Sequence, residues 1–115
     1  MGEPIDALGM RIQCEALRRK VMGADEAARL VRDGDVLAVS GFTKAGEPKV
    51  TLGAIARRFA AESPDARITL YTGASLSDEA EGPLAPFIAR RAPYMSSSKS
   101  RQRILAGQMD YADVH

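Results

Sequence analysis

The fold of this protein is decided by residues 36–60, which read VLAVSGFTKAGEPKVTLGAIARRFA. The stretch begins with a short continuous apolar run, residues 36–39, whose flanking turn residues are typical of a buried strand in a parallel sheet. A loop with two glycines follows, and then apolar residues recur at the i, i+3, i+4, i+7 and i+8 spacing of an amphipathic helix. These helix residues are Leu52, Ile55, Ala56, Phe59 and Ala60. The stretch therefore predicts a strand, a loop and a helix in succession.

The segment before this stretch predicts two helices. Residues 11–22 mix apolar and basic side chains, and we expect a short helix there whose apolar stripe docks on the domain. Residues 24–32 place alanine and valine at helical spacing behind an acidic first turn, which the helix dipole favours. The turn sequence at residues 33–35 ends this second helix.

The segment after it continues the alternation of strands and helices. We expect strands at 67–71, at 91–95 and from residue 110, and helical turns at 84–88 and 98–106. The serines at 96–98 are candidate N-caps of the last helix, and Gly107 is placed to end it. The acidic, turn-rich residues 76–84 predict a surface stretch.

The alternation of helices and strands with short loops indicates a fold class. It predicts an α/β fold with an open, mainly parallel sheet, flanking helices and right-handed crossovers, which is a Rossmann-like architecture. The 115 residues have room for one domain. Because the sequence ends on an apparent strand, we expect residues 1–115 to form an incomplete domain.

Composition argues against several classes of protein. Hydrophobic residues make up 45% and charged residues 27%, and the net charge of +1 gives no general attraction to nucleic acid or to a membrane surface. No stretch approaches the roughly 18 apolar residues of a membrane helix, and the N-terminus lacks the apolar core of a signal peptide. The single cysteine, Cys14, cannot form an internal disulfide, which indicates a reduced, cytoplasmic location.

Two loops are candidate binding sites, because ligands of parallel sheets bind where the strands end. The first is residues 40–46, whose glycines let a ligand approach the backbone, although a glycine turn without any ligand has the same pattern. The second is residues 72–75, whose hydroxyls can donate to a carboxylate or can instead cap a helix. Neither loop matches the glycine fingerprint of a dinucleotide site or a P-loop.

Other chemistries lack the residues that they need. His115, the only histidine, is the last residue, so no supported general base can stand beside a serine in a hydrolase triad. One histidine and one distant cysteine do not form a metal site. We therefore expect no bound metal and assign no catalytic residue within the chain.

Five segments, taken together and in order, resemble one known family. They are Arg11-Ile12-x-Cys14-x-Ala16-Leu17-Arg18-x-Lys20-Val21, Asp33-Gly34-Asp35, Ser40-Gly41-Phe42-Thr43-x-Ala45-Gly46-x-Pro48-Lys49, Thr72-Gly73-Ala74-Ser75 and Arg101-x-Arg103-Ile104-x-Ala106-Gly107. They resemble the N-terminal region of the acetyl-CoA hydrolase/transferase family, which includes succinyl-CoA:acetate CoA-transferases and belongs with the class I CoA-transferases. The resemblance runs from Arg11 to His115.

The resemblance implies a fold and a reaction for the intact protein. Family members are several times longer and contain two similar CoA-transferase domains, so this chain would be the N-terminal part of the first domain. A glutamate in the second half of the family sequence attacks the acyl-CoA thioester, and no acidic residue of this chain matches its motif. Coenzyme A is then a substrate and no cofactor is implied. The implied partners are acyl-CoA, acetate or succinate, the remainder of the enzyme or a complementary subunit, and a second copy in a homodimer.

The resemblance also implies site residues. Ser75 matches a serine that helps to bind the carboxylate substrate, and Ser96 falls where relatives carry a hydroxyl residue of the same pocket. The same cleft is expected to include Gly73, Gly41, Phe42, Thr43 and Gly46.

Three questions stay open at this point. The basic residues Arg90, Arg91, Lys99, Arg101 and Arg103 could meet CoA phosphates or a partner subunit, although a solvated helix face is the interpretation that we favour. The intact protein could transfer CoA or hydrolyse acetyl-CoA. The chain could also be a stand-alone, non-catalytic module that binds acyl-CoA or a partner, or one part of a split enzyme.

Overall fold

The computed structural model describes residues 11–93 and 97–112 of the chain. Four strands form one sheet: β1 is Val36–Val39, β2 is Ile68–Thr72, β3 is Ile88–Ala92 and β4 is Asp110–Tyr111. They lie side by side in sequence order, and all three pairings are parallel. The predicted α/β class with a parallel sheet and flanking helices is therefore confirmed.

The helices lie between and before these strands. They are α1 (Glu15–Arg18), α2 (Ala24–Ala28), α3 (Lys49–Glu62), α4 (Asp78–Glu81), a 3₁₀ helix (Gly82–Phe87) that continues α4, and α5 (Ser98–Leu105). The longest, α3, buries the apolar side that its spacing predicts, including Leu52, Ile55 and Phe59. Gly107 has a φ of +73°, which is the left-handed conformation expected after the end of a helix, and it follows α5 as predicted.

The hydrophobic core lies between one face of the sheet and the helices. Ile68 and Leu70 of β2 are 1% and 0% exposed, and they belong to the same buried cluster as Phe59 of α3. The ring of Phe59 contacts that of Phe87 in the 3₁₀ helix at a centroid distance of 5.5 Å. The alternation of side chains along each strand aims every second residue into this core.

The opposite face of the sheet is exposed. Val36 on β1 is 61% exposed, and Ala38 on β1 and its register partner Tyr71 on β2, which is 43% exposed, are exposed as well. The prediction that β1 is a buried strand is therefore wrong. The reason is that no described helix covers this face, on which Tyr71 of the central strand β2 is exposed as well.

The N-terminal helix also differs from its prediction. Helix α1 is a single turn, Glu15–Arg18, and none of its residues is buried. Leu17 and Val21 are 53% and 46% exposed, so the predicted docking of an apolar stripe from residues 11–22 is wrong. One helical turn has too few apolar side chains to form a packed face.

Residues 76–84 are not the surface stretch that their acidic composition predicts. Leu76, Ala80 and Leu84 are 2%, 0% and 0% exposed, and the charged Glu81 is fully buried with them. Helix α4 and the following 3₁₀ helix pack against α3. The prediction failed because the charge of Glu81 is paired with Arg91 of strand β3, which composition does not reveal.

Candidate functional site

The two candidate loops meet at the carboxyl edge of the sheet, which is the edge where β1 and β2 end. Gly41 and Gly73 line a common groove of about 550 Å³, together with the last residues of both strands. This proximity follows from the topology, because β1 and β2 are parallel neighbours and their carboxyl ends lie together. A small ligand can therefore contact both loops at once.

A backbone contact joins the loops directly. The amide of Thr43 donates a hydrogen bond of 2.8 Å to the carbonyl oxygen of Ser75, and Thr43 forms a parallel bridge with Leu76. Within the first loop, Phe42 and Ala45 exchange two backbone hydrogen bonds of 2.9 Å each. The loop after β1 thus has a defined shape that is aligned with the loop after β2.

Glu47 stabilises the contact between the two loops, a role that the sequence analysis did not predict. Its carboxylate is fully buried, and it accepts hydrogen bonds from the backbone amide of Ser77 at 2.9 Å and from the Ser77 hydroxyl at 2.5 Å. The Ser77 hydroxyl also accepts a hydrogen bond of 3.2 Å from the amide of Ala80, which caps helix α4. One acidic side chain therefore ties the end of the first loop to the start of α4.

The electrostatic surroundings of Glu47 favour its charged form. Burial raises the pKa of the Glu47 carboxyl, but the hydrogen bonds from Ser77 and the charges of Lys49 and Lys44 outweigh it. The pKa therefore lies below its ordinary value of 4.5. Lys49 Nζ is 3.9 Å from the nearer carboxylate oxygen.

The predicted site residues are distributed unevenly around this edge. Gly41 and Ser75 are half-buried where the loops touch, whereas Phe42, Thr43 and Gly46 are exposed, with Phe42 at 73%. Gly73 is exposed in the groove. Ser96 lies outside the described residues. The roles of all seven in substrate binding stay predictions, although the six described ones belong to the two joined loops.

A second groove extends the carboxyl edge toward β3. It measures about 500 Å³ and shares Tyr71, Thr72 and Gly73 with the first groove. Arg90 and Pro93 line its other side. The two grooves together run across the ends of β1, β2 and β3.

The basic zone divides into two kinds of residue. Arg90 is exposed beside the second groove, whereas its neighbour Arg91 is 0% exposed on the helix side of β3. The interpretation of all five residues as a solvated helix face is therefore wrong for Arg90 and Arg91, because both lie on a strand whose alternating side chains leave on opposite faces. Lys99 and Arg101 are exposed on α5, as that interpretation expects.

Arg91 forms a buried ion pair with Glu81. Its Nε and Nη2 donate to the two carboxylate oxygens of Glu81 at 3.0 and 2.8 Å, and Nη1 donates to the carbonyls of Ala92 and Pro93 at 3.0 and 3.3 Å. The hydroxyl of Ser100 donates to Glu81 as well. This network holds β3, α4 and α5 together and satisfies both buried charges.

The start of α5 is stabilised differently from the prediction. Ser97 occupies the N-cap position, but its side chain makes no capping hydrogen bond. Instead Asp78 accepts from the Ser97 hydroxyl at 2.9 Å and from the amide of Ser98 at 2.8 Å. The hydrogen bond from Ser97, followed by that from the Ser98 amide, lowers the pKa of the Asp78 carboxyl below its ordinary value of 3.8. The free amide of the helix is thus capped from a neighbouring element.

Sequence reasoning missed these acidic residues for a physical reason. Glu47, Asp78 and Glu81 all find their partners far along the chain, 19 or more residues away for Asp78 and 30 for Glu47. One feature of the sequence could have indicated Glu47, namely its position between Gly46 and Pro48. Because the residue before a proline disfavours helical backbone, Glu47 precedes the helix, where a buried side chain can accept hydrogen bonds from backbone amides.

Two negative findings apply to the part of the chain that the structure describes. No group of three or more His, Cys, Asp or Glu side chains there is arranged to hold a metal ion. None of the helices in residues 11–93 and 97–112 has the length and apolarity to cross a bilayer.

Comparison with known proteins places the chain in a family. Residues 7–115 match the profile of the acetyl-CoA hydrolase/transferase N-terminal domain. The chain is 38% identical over 107 residues to the succinyl-CoA:acetate CoA-transferase of Clostridium kluyveri, and 44% identical over 100 residues to the propanoyl-CoA:succinate CoA transferase of Escherichia coli. These alignments cover 91% and 82% of this chain but 20% of each relative, so the chain spans about a fifth of their length. The chain therefore belongs to the acetyl-CoA hydrolase/transferase family, as its ordered motifs indicated.

Proposed function

We propose that the protein containing this chain transfers CoA between an acyl-CoA and a small carboxylate, and that this chain supplies one wall of the carboxylate site. The observation that carries the proposal is the hydrogen bond from Thr43 to Ser75, which aligns the two glycine-containing loops beside an open groove. Family membership supplies the reaction class, and the relatives named above act on succinyl-CoA, acetate, propanoyl-CoA and succinate by name.

In this proposal the carboxylate substrate lies in the groove at the carboxyl edge. The Ser75 hydroxyl donates a hydrogen bond to it, and the nearby glycine backbone permits a close approach. A neutral hydroxyl orients the anion without forming an ion pair, so the carboxylate keeps its charge and can still act as a nucleophile. Ser96 is proposed as a second hydroxyl donor of the same pocket.

The covalent step belongs to a glutamate outside residues 1–115, as in the family that the motifs resemble. Its carboxylate attacks the thioester carbonyl, and CoA leaves as a thiolate while an acyl-glutamyl anhydride forms. The thiolate then attacks the glutamyl carbonyl, which releases the first carboxylate and leaves a glutamyl-CoA thioester. A second carboxylate repeats these steps in reverse and departs as the new acyl-CoA. This chain orients the carboxylates and performs none of the bond changes.

Two further properties belong to the same proposal. We place the protein in the cytoplasm, in keeping with one unpaired cysteine, Cys14, and no expected membrane helix. We also propose a homodimer of the full-length protein, on the strength of the family resemblance.

The test is an assay of the full-length protein with acetyl-CoA, with and without succinate. Succinyl-CoA formation and free thiol are followed together. The proposal predicts succinyl-CoA when succinate is present and slower thiol release without it, and it predicts no turnover by residues 1–115 alone. Fast thiol release unchanged by succinate would identify a hydrolase, and absence of both products would favour a non-catalytic binding module.

A further inference from the structure

Glu47 is a buried charge at the junction of the two loops. A carboxylate removed from water loses its hydration, and the loss is compensated only when hydrogen bonds replace it. Here both carboxylate oxygens receive a hydrogen bond, one from the backbone amide of Ser77 and one from its hydroxyl. Both bonds run from Glu47, just after the first loop, to Ser77, the N-cap of α4 that follows the second loop.

These bonds lie next to the residues that the proposed function uses. Ser77 is two residues beyond Ser75, and Glu47 is four residues beyond Thr43. The Thr43–Ser75 backbone bond at 2.8 Å and the Glu47–Ser77 pair thus join the same two loops at two successive points. Two points of attachment hold the two loops side by side more firmly than either does alone.

The close fit of Gly41 supports the same view. Its φ is +148°, and a Cβ there would lie only 3.1 Å from the Cα of Glu47. The loop therefore folds back so tightly onto Glu47 that a Cβ at position 41 would force Glu47 to shift and would strain the backbone. Glu47 contacts the entrance of its own loop as well as the neighbouring loop.

We propose that Glu47 is a positioning residue of the carboxylate site, which holds the loop of Thr43 against Ser75 so that the Ser75 hydroxyl faces the substrate. The inference rests on the proposed function, because it assigns the residue a role in that site. Glu47 itself is buried under the loops and does not contact the substrate.

Steady-state kinetics can distinguish a positioning role of Glu47 from a purely structural one. Loss of positioning weakens carboxylate binding while the acyl-CoA interactions made by the rest of the protein remain. In the full-length protein, Glu47→Ala is therefore expected to raise the KM for succinate by about tenfold or more, which corresponds to loss of a charged hydrogen bond. The KM for acetyl-CoA is expected to stay within about twofold of the wild-type value. Glu47→Gln keeps an acceptor for the Ser77 amide and a donor for its hydroxyl, so it is expected to recover most of the affinity.

Two control variants complete the experiment. Glu79→Gln removes the exposed Lys44–Glu79 pair, 3.7 Å long, which flanks the same loop, and it is expected to leave both KM values unchanged. Phe59→Leu weakens the core without touching either loop, so it is expected to lower the melting temperature without a selective change in the KM for succinate.

The outcomes distinguish this inference from the proposed function. A wild-type protein that transfers no CoA overturns the proposed function and removes the basis of the inference. A wild-type protein that transfers CoA, with Glu47→Ala showing wild-type KM for succinate or an equal rise in both KM values, overturns the inference alone. If Glu47→Ala does not fold, Ser77→Ala decides: it keeps the backbone bond to Glu47, so a smaller rise confined to succinate supports the inference and no rise overturns it.

Discussion

The two faces of the sheet differ in what they contact, although the same four strands form both. On the helix side, Leu70 of β2 is fully buried and Arg91 of β3 is paired with Glu81. On the opposite side, Tyr71 and Arg90 are exposed and line the second groove. Leu70 and Tyr71 are neighbours in sequence, and so are Arg90 and Arg91. Because side chains alternate along a strand, one residue of each pair lies in the buried face and the other lines the groove.

This difference shows where function can change without loss of the fold. The helix side contains the apolar core and the buried ion pair, which tolerate little change. The open side and the carboxyl edge contain the grooves and the joined loops, which a substrate can reach.

The largest expected effect is at Arg91 on the helix side. Arg91→Met leaves the Glu81 carboxylate buried without its partner, and breaking a buried pair in this way costs about 3–5 kcal/mol of unfolding free energy. The double variant Arg91→Met with Glu81→Leu removes both charges and is expected to recover much of that loss. Urea unfolding of the three proteins measures this, and a double variant as unstable as the single one would contradict the account.

The next effect compares neighbours on β2. Leu70→Ala opens a cavity in the core and is expected to lower the free energy of unfolding by about 2–5 kcal/mol. Tyr71→Ala removes a side chain that is 43% exposed on the open face, and its cost in this chain is expected to be about 1 kcal/mol or less. Equal losses in urea unfolding would show that the open face is packed in solution.

The elements that depend only on neighbouring residues were predicted from the sequence. Residues 36–39 form β1 as predicted, and α3 buries the side that its apolar spacing selects. Gly107 ends α5 through its own backbone freedom. The meeting of the two candidate loops also followed from parallel topology, because adjacent parallel strands end at one edge.

Properties that depend on distant partners were not predicted. Glu81 was assigned to a surface stretch because its partner Arg91 lies in the next strand, and Arg91 was grouped with Arg90 because a run of basic residues does not reveal its strand alternation. The exposure of β1 depends on whether another element covers that face of the sheet, which residues 36–39 do not reveal. Glu47 was passed over because its hydrogen-bond donor is 30 residues away.

A smaller effect compares two glycines of the first groove. Gly41→Ala places a methyl group against Glu47 at a backbone conformation that L-residues rarely adopt, so we expect it to cost more than about 1 kcal/mol. Gly73→Ala meets no atom within 4 Å and is expected to change stability by less than about 0.5 kcal/mol. Thermal unfolding checks both, and an equal effect would contradict the close approach of the loop to Glu47.

The smallest effect concerns acid. The pKa values of Glu47 and Asp78 are lowered in the folded protein from their ordinary values of 4.5 and 3.8. Each carboxylate therefore stabilises the fold at a pH above its ordinary pKa, and this stabilisation is lost as the pH falls through its pKa in the folded protein. The melting temperature should therefore fall on acidification below about pH 4.5. Glu47→Gln is expected to make that decline shallower, and a slope identical to wild type would show that Glu47 does not contribute.

The most direct test of the carboxyl edge as the carboxylate site is Ser75→Ala in the full-length protein. One lost hydrogen bond to a charged group is worth about 1.5–3 kcal/mol, which corresponds to a rise of about 10- to 150-fold in the KM for succinate. The melting temperature and the KM for acetyl-CoA should stay close to wild type. Wild-type kinetics with succinate would contradict the assignment of Ser75 and with it the placement of the site between the two loops.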